Sequence, residues 1–291
     1  MKVKIGVLGG TGLYDMQGLK KIKEHEVDTP FGKPSSKILE AELHEETVFF
    51  LPRHGKGHLF SPSKVNYRAN IFAMKLLGVE KIISVSAVGS MKEGISPGDV
   101  VIVDQFFDRT VTRPRTFFDD GIVAHVSFAD PVCPKLAGVL ADSARKAGAT
   151  MHEGGTYVCI EGPQFSTRAE SQFFRSLGVD VIGMTNLPEA RLAREAEICY
   201  ATLAMVTDYD CWHESEEDVS VEAVIKILKQ NAELAQKIVT LAASSLEDIN
   251  EGSVGCECNS ALKNAIITDK RVVSKDTKKR LAPLIGKYME D

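Results

Sequence analysis

The chain has 291 residues, 44% of them apolar, with a net charge of −5 and a sequence pI of about 5.9. That is enough apolar material for a large core, and the weak acidity favours neither nucleic acid nor an anionic membrane as a partner. No apolar run approaches the roughly 18 residues of a membrane span, and Met1-Lys2-Val3 enters a strand directly instead of a signal segment, so a cytoplasmic protein is expected.

The first element, Val3 to Leu8, is a β-branched run that turns at closely spaced glycines, Gly9, Gly10 and Gly12, with backbone N–H groups free to face an anion. The dinucleotide fingerprint is incomplete, because Asp15 stands where its third glycine belongs, and no Gly-Lys-Ser/Thr follows to make a P-loop. A phosphate loop and a turn that only turns both fit this stretch.

Further runs predict strands at Val48 to Leu51, Lys81 to Val88, Asp99 to Phe106, Thr156 to Ile160, Val179 to Met184 and Ala201 to Val206. Their continuous apolar character suits strands buried on both faces. Between them, Ser61-Pro62 opens a helical pattern through Ile71, Phe72 and Leu76 to a stop at Gly78, and a second covers Pro134 to Ala147. Thr167 and Glu170 form a capping box ahead of Phe173, Phe174 and Leu177. After Ser220, the residues Val221, Val224, Ile225, Leu228, Ala232, Ala235 and Val239 recur at three- and four-residue steps along a long amphipathic helix. Strands alternating with helices over the whole length indicate one α/β domain, a mixed sheet with helices on both faces. The tail from about Asn259, with Leu281, Leu284 and Ile285, predicts a C-terminal helical annex to that single domain over 1–291.

Six cysteines are too few for a secreted disulfide scaffold. Cys133, Cys159, Cys199 and Cys211 lie apart and are most simply buried thiols, while Cys256 and Cys258 form a C-x-C pair near the C-terminal end. A C-x-C pair is half a metal site, but no second pair or His cluster with zinc spacing accompanies it, so no metal is expected.

Ligands of open α/β sheets bind where strands end, so the residues following each run are the site candidates. Gly10, Thr11, Arg53, His54, Ser86 and Thr185 supply N–H, hydroxyl, guanidinium and imidazole groups that suit a phosphate dianion. Asp208 and Asp210 follow the last run and would repel that anion. Both sets are satisfied if a neutral body lies between them, and a nucleoside fits, its ribose toward the phosphate and its base toward the acids.

With those positions, Gly9 to Gly12, Val27 to Ser35, Arg53-His54-Gly55, Pro62 to Tyr67, Pro97-Gly98-Asp99, Asp104-Gln105-Phe106, Glu161 to Ser166 and Thr207 to Trp212 occur in order over about residues 1 to 245. This series resembles the trimeric purine nucleoside phosphorylase family, in its methylthioadenosine-cleaving branch. The resemblance implies phosphorolysis of 5′-methylthioadenosine to adenine and 5-methylthioribose 1-phosphate, with inorganic phosphate as co-substrate and no cofactor. It places phosphate on Thr11, Arg53, His54, Ser86, Ala87 and Thr185, although a Thr often stands where this chain has Ser86. It places the nucleoside against Phe165 and Met184, and the 5′ group against His58, Val221, Val224 and His125 of a neighbouring subunit in a homotrimer or hexamer.

Cleaving the glycosidic bond puts positive charge on the sugar and negative charge on the base, so an acid is needed near the base, and Asp208 fills that role if burial raises its pKa. Extended geometry would return Asp210 to the same face. A carboxyl group facing position 6 accepts from the amino group of adenine and repels the oxygen of 6-oxopurines. A phosphorylase of adenosine or 6-oxopurine nucleosides is the nearest alternative, and a non-catalytic adenine-nucleoside binder or a dinucleotide-using enzyme is a more distant one. Ser166 and Thr167 are expected to be helix caps.

Overall fold

The computed structural model describes residues 3–10, 13, 19–44, 46–213, 221–246 and 256–289. Its strands are β1 (Ile5–Gly9), β2 (Lys20–His25), β3 (Ile38–Leu43), β4 (Glu46–Pro52), β5 (Lys81–Ser90), β6 (Val100–Ile102), β7 (Gln105–Arg109), β8 (Met151–Glu153), β9 (Thr156–Ile160), β10 (Val181–Gly183) and β11 (Cys199–Asp208). All join one sheet of 11 strands. The helices are α1 (Tyr67–Leu76), α2 (Pro134–Ala147), α3 (Arg168–Ser176), α4 (Asn186–Glu195), α5 (Val221–Ser245), α6 (Lys275–Arg280) and α7 (Ala282–Met289).

The sheet is mixed. β1 runs parallel to β4 and β5, and β5 parallel to β11, whereas β10 meets the end of β5 antiparallel. Side chains of β11 alternate between two cores, as the period of two demands. Tyr200, Ala204 and Val206 pack with Ile71 and Phe72 of α1 and Ala190 and Leu192 of α4. Ala201, Leu203 and Met205 pack with Leu140 and Ala144 of α2 and Val239 of α5. Helices therefore cover both faces, the architecture expected from strands apolar on both sides. Leu281, Leu284 and Ile285 of the C-terminal segment enter the first of these cores.

One strand determines where a ligand can enter. β5 pairs with β11 along one side from Lys81 to Gly89. On its other side β1 covers only Lys81 to Ser84, and β10 pairs only with Gly89 and Ser90. Val85 to Val88 thus face a gap between two partner strands, a place where the sheet changes neighbours and a ligand crevice forms.

Several boundaries differ from those the sequence predicts. The helix expected from Ser61 is a 3-10 turn at Pro62–Lys64, then an extended Val65, then α1, whose first turn is capped by the Asn66 side chain accepting from Ala69 N–H. The run Asp99 to Phe106 is two strands, β6 and β7, in different parts of the sheet. β2, β3, β8 and α4 carried no clear pattern: β2 is nearly all polar and exposed, and α4 contains Pro188 beside a non-helical Leu187. α2 and the capping box of α3 fall where expected, Thr167 accepting from Glu170 N–H while the Glu170 carboxylate reaches back.

Candidate active site

The gap beside β5 opens into a cavity of about 580 Å³, a volume suited to a small organic ligand. Gly10, Arg53, His54, His58, Ser86, Ala87, Phe165, Met184, Thr185, Asp208 and Asp210 all line it. Thr11 lies outside the described residues, as do the side chains of Val221 and Val224 at the start of α5. His125 does not line the cavity; it is exposed, and its backbone N–H donates to Ala265 O at 2.8 Å.

At one end the polar groups are donors. Ser86 Oγ lies 3.2 Å from both Thr185 Oγ1 and Tyr157 OH, so the two hydroxyls that face the cavity are fixed against a buried phenol. Tyr157 closes tightly over Gly183, where a Cβ would sit 2.0 Å from the phenol oxygen, so only glycine is compatible with that packing.

Arg53 is buried at 2% exposure and bound on nearly every side. Its Nε and Nη2 donate to the Glu189 carboxylate at 2.6 and 2.8 Å, Nη2 also to Ser84 Oγ at 2.7 Å, and Nη1 to Val85 O at 3.2 Å. Burial alone would favour the uncharged guanidine, but the Glu189 carboxylate overrides it and holds Arg53 protonated well above its ordinary range. Among the described residues, one Nη1–H is left for an anion, so a two-point guanidinium grip is not available. The cation acts through its field and a single donor.

His54 is a further correction to a simple donor set. Burial, with Arg53 and His58 nearby, pushes its pKa down to about 4, so the ring is neutral at pH 7. Nδ1 lies 2.8 Å from Phe60 O and must carry the proton, because a carbonyl only accepts. Nε2 is then an acceptor. His58, in a left-handed backbone conformation, stacks on this ring with centroids 4.3 Å apart.

At the other end the groups are acidic. Burial raises the pKa of Asp208, and the neighbouring Asp210 charge raises it further, against the lowering effect of its own hydrogen bonds. Asp208 Oδ1 accepts from Asp210 N–H at 2.8 Å, and Oδ2 lies 2.6 Å from Thr207 Oγ1, which also approaches Val88 O at 3.2 Å. Thr207 has one hydroxyl proton for these two acceptors and donates to one of them at a time. Gly89 leaves room for this carboxyl group: a Cβ there would lie 2.7 Å from Asp208 Oδ1. Asp210 reaches the same cavity, but through a turn with φ of +52° and not by strand alternation.

Local patterns did not reveal several residues that hold this site. Ser166 is not a helix cap; its hydroxyl bonds the Asp210 carboxylate, at 2.9 and 2.8 Å from the two oxygens. Arg113, fully buried, donates to Met184 O, Leu187 O and Glu161 O and so fixes the loops that carry Phe165, Met184 and Thr185. Glu189 sits 136 residues from Arg53 on α4, and Asn231, Ala232 and Ala235 of α5 close one wall. Only the Ser166 hydroxyl had a local signal, its place in the Glu161 to Ser166 series; the other contacts are long-range.

A donor cluster and a pair of acids, Asp210 buried and Asp208 half-buried, lining one largely apolar cavity suit an anion and a nitrogen heterocycle at the switch point of an α/β sheet. The chain belongs to the phosphorylase superfamily, whose family model matches residues 4–244. It is 57% identical to an S-methyl-5′-thioadenosine phosphorylase of Geobacter sulfurreducens, over 99% of this chain and 100% of that one. A solved methylthioadenosine phosphorylase from an Antarctic soil metagenomic library superposes with a TM-score of 0.91 at 50% identity, covering 97% and 99% of the two chains. The Schistosoma mansoni methylthioadenosine phosphorylase in complex with adenine has a TM-score of 0.82 at 35% identity, covering 98% of each.

Proposed function

We infer that this chain is a pentosyltransferase that cleaves 5′-methylthioadenosine by phosphorolysis, releasing adenine and 5-methylthioribose 1-phosphate for purine and methionine salvage. The observation that carries this reading is the division of one cavity into a donor end and an acidic end. Relatives of full length and high identity bear the same activity in their names.

Phosphate binds at the Gly10, Thr11, Arg53, His54, Ser86, Ala87 and Thr185 end, below the sugar. There it stabilises the cationic ribose as the glycosidic bond lengthens, and then attacks C1′, so its placement supplies most of the rate. Neutral His54 accepts the remaining P–OH proton of the dianion at Nε2, which orients the anion without adding charge. Adenine lies against Phe165 and Met184. Asp208, protonated at rest, gives its proton to N7 as the base departs, and Asp210, held by Ser166, completes the acidic wall. The amino group of adenine donates to this wall, whereas a 6-oxo group has no proton to offer, which sets the preference against inosine.

The 5′-methylthio group lies toward His58, Val221 and Val224, with His125 contributed by a neighbouring subunit of a homotrimer or hexamer. The exposure of His125, outside its own chain's cavity, supports that assignment. Such a pocket separates a methylthio from a hydroxyl group by only about 1–3 kcal/mol, so adenosine is a secondary substrate. The reaction needs no cofactor, and the enzyme is placed in the cytoplasm with its small-molecule substrates; no described helix is long and apolar enough to cross a membrane.

The test is release of free adenine from methylthioadenosine with phosphate present and then omitted, with inosine as a parallel substrate. Phosphate-dependent adenine release with little hypoxanthine from inosine is the expected result. Adenine release that ignores phosphate, or none at all, overturns the reading.

A further inference from the structure

Of the four cysteines read from the sequence as lying apart, Cys159 and Cys211 do so, but Cys133 and Cys199 do not. Cys133 and Cys199 converge with the C-x-C pair, and the four sulfurs of Cys133, Cys199, Cys256 and Cys258 all lie within 4.8 Å of one another. We propose that these four cysteines form a structural tetrathiolate site for one zinc ion, outside the nucleoside cavity.

The spacing is that of ligands around a common centre. Cys133 Sγ and Cys199 Sγ lie 3.5 and 3.4 Å from Cys256 Sγ, and all four residues are free cysteines. A disulfide would bring a pair to about 2.0 Å. Four sulfurs at about 2.3 Å from zinc stand about 3.8 Å apart along each tetrahedral edge, within the range spanned by this cluster.

Three of the four ligands sit at the start of a regular element. Cys133 occupies the N-cap position of the 14-residue α2, where unsatisfied N–H groups favour a thiolate, and its own N–H donates to Tyr200 O. Cys199 opens β11 with its N–H on Glu80 O, and Cys258 opens a 3-10 turn. Cys133 and Cys258 are buried and the other two half-buried, so the cluster is shielded without being sealed. The adjoining cleft is lined by Lys81 and Lys135 together with Glu80 and Glu197.

Binding follows Zn²⁺ + 4 RSH → [Zn(SR)₄]²⁻ + 4 H⁺, with no electron transfer. Four protein ligands leave no open position, so the ion is structural. It ties Cys256 and Cys258, at the head of the C-terminal segment, to the starts of α2 and β11. That segment supplies Ala265, which receives the His125 N–H, and Ile266, which bridges Ala124. The ion therefore anchors the backbone support of the His125 loop.

The experiment uses the full-length chain, purified anaerobically with reductant and without chelator. Metal analysis is expected to find about one zinc per chain, and replacement by Co²⁺ to give the intense sulfur-to-cobalt absorption of a tetrathiolate. Cys256→Ser should lose zinc and lower Tm, whereas Cys211→Ser, outside the cluster, should retain both. Thiol titration of the native wild type provides a readout independent of mutant folding: the four clustered thiols should react only after zinc is chelated. A wild type that binds neither zinc nor cobalt after dialysis against excess metal under reductant overturns the proposal. So does peptide mapping of that same anaerobic protein that finds these cysteines joined as disulfides.

Discussion

The two ends of the cavity bury charge in opposite ways. At the donor end, Arg53 remains a cation because Glu189 pairs with it at 1% side-chain exposure. At the acidic end, Asp208 has no cation beside it among the described residues; its partners are a hydroxyl, a backbone N–H and another acid, and burial moves it toward the neutral form. The difference shows two solutions to one desolvation cost, pairing for Arg53 and a shift toward the neutral form for Asp208.

The largest expected effect breaks the protonated end. Asp208→Asn should lower kcat by about 10²–10⁴-fold with little change in the phosphate KM. In the wild type, kcat should fall as pH rises through the raised pKa of Asp208, and the Asn variant should lose that limb; a variant that keeps it would move the acid elsewhere. Glu189→Gln breaks the paired end instead. It leaves Arg53 charged and uncompensated, and should cost about 3–5 kcal/mol of stability in denaturant titration. If the variant is as stable as the wild type, the cation is held by its other acceptors.

Smaller effects sharpen the contrast. Ser166→Ala removes the hydroxyl that supports the Asp210 carboxylate and should raise the activation barrier by about 1.5–3 kcal/mol, seen in kcat/KM for methylthioadenosine. His54 tests the neutral ring. Its folded pKa is about 4, whereas in the unfolded chain it takes a proton near pH 6.5. The unfolded chain therefore binds more protons in between, and stability falls as pH is lowered across that window, by at most about 1.4 kcal/mol per pH unit. Comparing unfolding free energies of the wild type and His54→Gln at pH 7 and pH 5 checks this; equal losses on acidification would show that His54 is not the source.

Much of the fold was legible because its information is local. The β-branched runs at Ile5, Lys81 and Thr156, the Pro134 helix start and the Thr167–Glu170 box each lie within one element, and each formed nearly where expected. β2 was not legible because its residues, Lys20 to His25, lie largely in solvent and need no apolar face. α4 was hidden by Pro188 and is held by burial of Leu187, Ala190 and Leu192. In the site, Arg53, His54, Ser86, Thr185 and Asp208 were visible because each lies on or just after an apolar run that reads as a strand, but their protonation and free donors were not.

By itself the sequence determined the class of fold, the succession of strand ends and therefore which residues could meet at a ligand. Tertiary structure alone decided that Arg53 is occupied by Glu189, that His54 is an accepting neutral ring, that Ser166 serves Asp210, and that four scattered cysteines share one place. The physical reason is range. Backbone preference and amphipathic period act over a few residues, whereas desolvation and pairing depend on which groups a crossover of 50 or 130 residues happens to bring within about 3 Å.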